Sequence, residues 1–133
     1  MAWCAECRQS ADVVLAVDTS TSVGRVHMVR VLDYCQSVMV GVDWRSRFAL
    51  VTFSDRARLQ LNLTAHVDYA AVDRMSAAYS AARATDTAGA LRLACQLLTA
   101  AAAAAAGPRR RVVVLIVDGR CALVLRIDRQ TDR

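Results

Sequence analysis

The chain contains no lysine. All 17 of its basic side chains are arginine, set against 12 acidic ones, and the formal net charge is +5 over 133 residues. It has one proline, Pro108, and two histidines, His27 and His66. Each shortage excludes something. A nucleophilic serine needs a base, and no Ser/His/Asp arrangement is visible around histidines placed in the first predicted helix and at the start of the second, so the expectation is no enzyme. No apolar run approaches the roughly 20 residues that span a bilayer, so this segment enters no membrane. The opening MAWCAEC lacks the basic and long apolar regions of a signal peptide. The densest basic cluster, Arg109–Arg111, has no aromatic neighbours for base stacking. It reads as a solvated turn, and no nucleic acid is expected as a partner. The arginine bias, with the seven alanines of Ala100–Ala106, fits GC-rich coding sequence.

Five cysteines, Cys4, Cys7, Cys35, Cys95 and Cys121, cannot all pair within one chain. Cys4-x-x-Cys7 has zinc or redox spacing. There is no second such pair and no histidine near it, and it stands before the first strand, not at a strand-to-helix junction. No metal is assigned to it.

What is present suits a core: 56 % of residues are hydrophobic, and the length is that of one domain. Val13–Val17 is a continuous apolar run, as a strand buried on both faces should be. A helix is predicted from Gly24 to about Val40, with Met28, Val31, Leu32, Cys35, Val38 and Met39 at three-and-four spacing. Arg47–Phe53 is a second apolar strand. RLQLNL at 58–63 alternates strictly, which predicts a short antiparallel edge strand paired back by a hairpin. A short helix is expected over 66–75. A longer one begins near Thr87, carries Leu91, Ala94, Cys95 and Leu98 on one face, runs through the alanines and stops at Gly107-Pro108. Val112–Val117 is a third buried strand, ending in Asp118-Gly119.

This order predicts an α/β fold: a doubly wound, mostly parallel, Rossmann-like sheet with one antiparallel edge strand. Right-handed crossovers put the two long helices on opposite faces and make strands 13–17 and 112–117 neighbours. Ligands bind in such a fold where the connections diverge, at the carboxyl ends of the strands. Asp18 and Asp118 both fall there. Cys35 and Cys95, on opposite faces about 10 Å from the sheet, are expected to be unpaired buried thiols.

In an extended segment alternate residues point the same way, so Asp18, Ser20 and Ser22 of DTSTS share a side. Carboxylate and hydroxyl oxygens suit a hard divalent cation such as Mg²⁺. Hydroxyl residues before a helix also serve as caps, and the two readings stay open on the spacing alone.

The segments DVVLAVDTSTSVG, RFALVTFSDRARLQLNL, TDTAGAL and VVVLIVDG, in this order from Asp12 to Gly119, resemble the von Willebrand factor A-type domain of integrin I-domains, matrilins and collagens. The resemblance implies a metal-ion-dependent adhesion site at Asp18, Ser20, Ser22, Thr85 and Asp118, holding Mg²⁺ or Mn²⁺. It implies that Ser20 and Ser22 bind the ion directly, Thr85 directly or through water, and the two aspartates mainly through water or hydrogen bonds. A carboxylate of a partner protein then fills the open position, with no bond made or broken. Thr87 is the alternative to Thr85, set aside because it reads as the helix start. The partner so implied is an extracellular protein, collagen or another matrix component. The sequon Asn62-Leu63-Thr64, at a turn after the edge strand, agrees with that location.

The chain departs from the pattern in two places. The family continues past Asp118-Gly119 with two more strand–helix units, so the division is an N-terminal flank at 1–10, a partial domain at 11–120 and a non-matching tail at 121–133, with the sheet incomplete on its C-terminal side. Within the tail, 121–127 is apolar enough to make a substitute strand. The family's glycine before the threonine loop is missing from Ser80–Ala84, which weakens metal affinity. Two other functions fit the same resemblance: a scaffold without metal, or an intracellular domain of a chelatase- or repair-like assembly.

Overall fold

The three apolar runs lie side by side. In a computed structural model, which describes residues 10–20, 25–41, 45–64, 85–104, 110–117 and 121–126, they become β1 (Ala11–Asp18), β2 (Arg47–Phe53) and β4 (Arg110–Val117). β1 pairs in parallel with β2 on one side and with β4 on the other. β3 (Ala57–Thr64) pairs antiparallel with β2, and β5 (Cys121–Arg126) antiparallel with β4. The five-stranded order is β3-β2-β1-β4-β5. The doubly wound α/β plan therefore holds, with β5 as a second antiparallel edge where the resemblance implied further strand–helix units.

α1 (Arg25–Gly41) and α2 (Thr87–Ala104) cover the two faces. The alternation of side chains along β1 shows it. Val13, Leu15 and Val17 pack with Val31, Cys35 and Met39 of α1. Val14 and Ala16 pack with Ala90, Ala94 and Leu98 of α2. A strand sandwiched in this way must be apolar at every position, which is why the three central runs lack alternation. Spacing of four along α2 brings Ala90, Ala94 and Leu98 to the sheet, and two alanines let the helix approach closely.

Two expectations need correcting. Cys95 is exposed, not buried; it follows Ala94 and lies about 100° further round the helix. Cys35 is buried, and both thiols are free, as expected. The antiparallel edge strand expected from the alternation at 58–63 is β3, paired back to β2. Register shifts between β2 and β3, flanking Leu50, send Leu61 to the α1 side and Ala57 and Leu63 to the α2 side, and leave Leu59 43 % exposed. The sequon lies inside β3, not after it; Asn62 is exposed, and its side-chain oxygen accepts a hydrogen bond from the Leu63 amide at 2.8 Å. The helix expected over 66–75, the Gly107-Pro108 stop, Ser80–Ala84 and the Cys4/Cys7 pair fall outside the described residues.

At the amino edge of the sheet Asp12 is buried and Arg47 grips it with both arms, Nε to Oδ1 at 2.8 Å and Nη2 to Oδ2 at 2.7 Å. The two are cross-strand partners on β1 and β2. The bond to the Asp12 carboxylate, and behind it that charge, holds the Arg47 guanidinium above its ordinary pKa. Ser46 Oγ accepts the Ala11 amide at 3.0 Å, tying the start of β1 to the same corner.

Candidate metal centre

Asp18 is the last residue of β1, paired with Phe53 at the end of β2. Beyond it the chain turns immediately. The Ser20 amide donates to Asp18 Oδ1 at 2.9 Å, an Asx turn that aspartate favours. Thr19 turns the other way: its amide and its hydroxyl both donate to the Phe53 carbonyl, at 2.9 and 3.3 Å. Asp18, Thr19 and Ser20 are all buried. Thr19 and Ser20 are not helical.

The second oxygen of Asp18 decides what the turn can do. Oδ2 is buried and has no hydrogen-bond partner among the described residues. Carboxylate oxygens shut away from water without a donor are costly. A cation, or a water held by one, supplies the missing partner, so the residues fit a metal of the kind the resemblance implied. Among the described residues no three His, Cys, Asp or Glu side chains gather. An ion here would draw on hydroxyl oxygen and water, the donor set of a hard cation.

Thr85 reaches the same edge by a different route. The Asp86 amide donates to the Ser54 carbonyl at 2.6 Å, pinning the segment before α2 to the residue after β2. Thr19 holds Phe53 and Asp86 holds Ser54, so the turn after β1 and the approach to α2 are fastened to consecutive carbonyls. Thr85 is exposed there, while Thr87 is the first residue of α2. Asp86 is that helix's N-cap: its Oδ1 accepts the Gly89 amide at 2.9 Å and its carbonyl accepts the Ala90 amide at 3.1 Å. A Cβ at Gly89 would come within 2.7 Å of the Asp86 Cγ, so a larger residue there would displace the capping carboxylate. Ser54 and Asp86 were not singled out from sequence. An aspartate one residue before a helix start was the available signal. Ser22 and Asp118 lie outside the described residues, although β4, which precedes Asp118, stands beside β1 with Val17 opposite Ile116.

The family model of the von Willebrand factor type A domain matches residues 12–125. The chain belongs to that family. No curated protein matches it in sequence. Several solved structures share the fold of this type A domain. The three N-terminal domains of the type V pilus tip protein Mfa5 from Porphyromonas gingivalis align over 80% of this chain and 19% of theirs, at 21% identity and TM-score 0.62. A membrane-spanning protein from Vibrio fischeri aligns over 77% of this chain and 53% of its own, at 23% identity and TM-score 0.56. Proximal thread matrix protein 1 of the mussel byssus aligns over 82% of this chain and 28% of its own, at 22% identity and TM-score 0.55; its metal-ion-dependent adhesion motif holds zinc. The chain thus spans between 19% and 53% of the length of these structures. At such identities the likeness is one of fold. No helix among the described residues is long and apolar enough to cross a membrane.

Proposed function

We propose that this type A domain is a metal-ion-dependent protein-binding module of the adhesion or matrix kind. The observation that carries the reading is the buried, unpartnered Oδ2 of Asp18 beside the Ser20 turn. Mg²⁺ or Mn²⁺ is the ion, held by Ser20, Ser22 and Thr85 with Asp18 and Asp118 behind them. Few charged ligands in direct contact leave the ion short of negative charge, and a partner's carboxylate fills the open position. The activity is recognition; the module is not an enzyme.

The partner is an extracellular protein with an exposed acidic side chain, and collagen and other matrix proteins are the class to test. The zinc-bearing byssal protein and the pilus tip protein, both matrix or surface components by name, support that location. Asn62, exposed on the edge strand, is the proposed glycan acceptor.

Isothermal titration with MgCl₂ and with MnCl₂ tests the site. One ion should bind per chain, and Asp18→Asn should remove the binding while the thermal melt in EDTA is kept or raised, because the substitution removes a buried charge that lacks a partner. Failure of the unaltered protein to bind either ion would sink the proposal.

A further inference from the structure

The two outer strands of the sheet are built differently. β5 runs opposite β4 in one unbroken register, from Val112 against Arg126 to Val117 against Cys121. β3, at the other end of the strand order, pairs with β2 through two register shifts, and Gln60, Asn62 and Leu63 have no partner in that register. Arg58, Leu59, Gln60 and Asn62 are exposed. An outer strand offers its backbone donors and acceptors to any strand that approaches it. Extra residues on one strand bend it and interrupt the ladder, and they also leave positions whose amides the neighbouring strand does not take up.

At Leu63 the chain itself takes up that amide. The Leu63 N–H donates to Asn62 Oδ1 at 2.8 Å, so the donor is satisfied locally and is not held out to another strand. The neighbouring exposed side chain does something else: Gln60 Nε2 donates across the ladder to Thr52 Oγ1 at 2.9 Å. Charge gives β3 little protection against its own kind. Arg58 is the one charged residue in the strand. Two β3 strands laid antiparallel in full overlap set Arg58 of each copy opposite Leu63 of the other, with the two arginines about 17 Å apart along the strands. That is beyond the screening length of about 8 Å at physiological salt. The same pairing brings each Leu63 amide to the backbone of the other copy.

We propose that Asn62 keeps the β3 edge closed to a second copy of this chain by occupying the Leu63 amide. The side chain alone suffices; a glycan on its nitrogen would add bulk at the same edge and is not required. Loss of the side chain frees one amide per copy, and a two-fold pair of β3 strands uses both. Each protein hydrogen bond has a small net worth, because water competes for the same groups. Two of them together should tighten self-association about tenfold. The metal centre takes no part.

Sedimentation equilibrium of the full chain made in bacteria, and so without glycan, tests this, in EDTA so that no metal bridges two copies. The unaltered chain should not associate through β3. Asn62→Ala should associate about tenfold more tightly. Its Leu63 amide should exchange with solvent faster than in the unaltered chain at low concentration, and new protection should appear across 57–64 as the concentration rises. Gln60→Ala, which removes an equally exposed polar side chain but frees no Leu63 amide, should change little. Asn62→Asp keeps the acceptor and should restore the closed edge in about 1 M NaCl, where its added charge is screened beyond about 3 Å. A circular-dichroism melt identifies a variant that fails to fold, in which case Asn62→Val takes its place with Gln60→Val as control. An unaltered chain that already pairs through β3, no tighter association of Asn62→Ala, an equal gain for Gln60→Ala, undiminished association of Asn62→Asp, or association without new protection in 57–64 would each overturn the proposal.

Discussion

Two buried aspartates on one strand meet opposite fates. Asp12 has both oxygens in the fork of Arg47, whereas Asp18 has one oxygen on a backbone amide and one on nothing described. Their substitutions should diverge accordingly. Arg47→Met leaves the Asp12 charge buried without its fork and should cost about 1.5–3 kcal/mol in denaturant unfolding. Asp18→Asn should cost nothing in EDTA. The two described thiols also diverge. Burial pushes Cys35 up to about 12, while Cys95 is open to solvent. Iodoacetamide should alkylate Cys95 in the native protein and reach Cys35 only on unfolding. A thiol whose pKa is raised by folding contributes full stability below the unfolded value near 9 and loses it as the pH rises toward 12. Stability should therefore fall across that window, by up to about 1.4 kcal/mol per pH unit, and Cys35→Ala should flatten this component of the profile. Sequence spacing placed Cys35 correctly and Cys95 wrongly. A helical face is about three residues wide, and Ala90 takes the place beside Ala94 that Cys95 was given.

Among the elements, α2 shows how a functional loop is positioned by a helix cap. Asp86 caps α2 with its carboxylate and anchors to Ser54 with its amide. Asp86→Ala should lower stability by about 1 kcal/mol and weaken Mg²⁺ binding by loosening Thr85. Gly89→Ala, ordinarily worth about 1 kcal/mol to a helix, should give no gain here and should recover its gain only in the Asp86→Ala background; a double-mutant cycle followed by urea melts reads this directly. In β5, Val124→Pro, in the middle of the strand paired with β4, should disturb that pairing and expose the edge of β4, with light scattering rising as the melt falls. The apolar runs made the three parallel strands plain from sequence, because strands covered on both faces tolerate no polar position. The faces of β3 were not plain. Its leucines alternate cleanly, and the register shifts that redistribute them arise from pairing with β2, which no local pattern encodes.

At the scale of the molecule, the turn after β1 and the approach to α2, far apart in sequence, are both fastened to the end of β2. The order of elements was enough to foresee that both segments lie at the carboxyl edge of the sheet, and the apolar character of 121–127 was enough to foresee a strand there; its antiparallel pairing with β4, and the position of Asn62 inside β3, depend on pairing and were not legible. The central placement of β1 has a further cost during synthesis. One of its two neighbours, β4, begins at Arg110 and is separated from the end of β1 at Asp18 by 91 intervening residues. Until the ribosome has delivered that distant segment, an apolar strand meant for the middle of a sheet has one bare flank. Nascent chains of this domain are thus natural clients for a holding chaperone, and a stall before residue 110 would release a species primed to pair with its own kind.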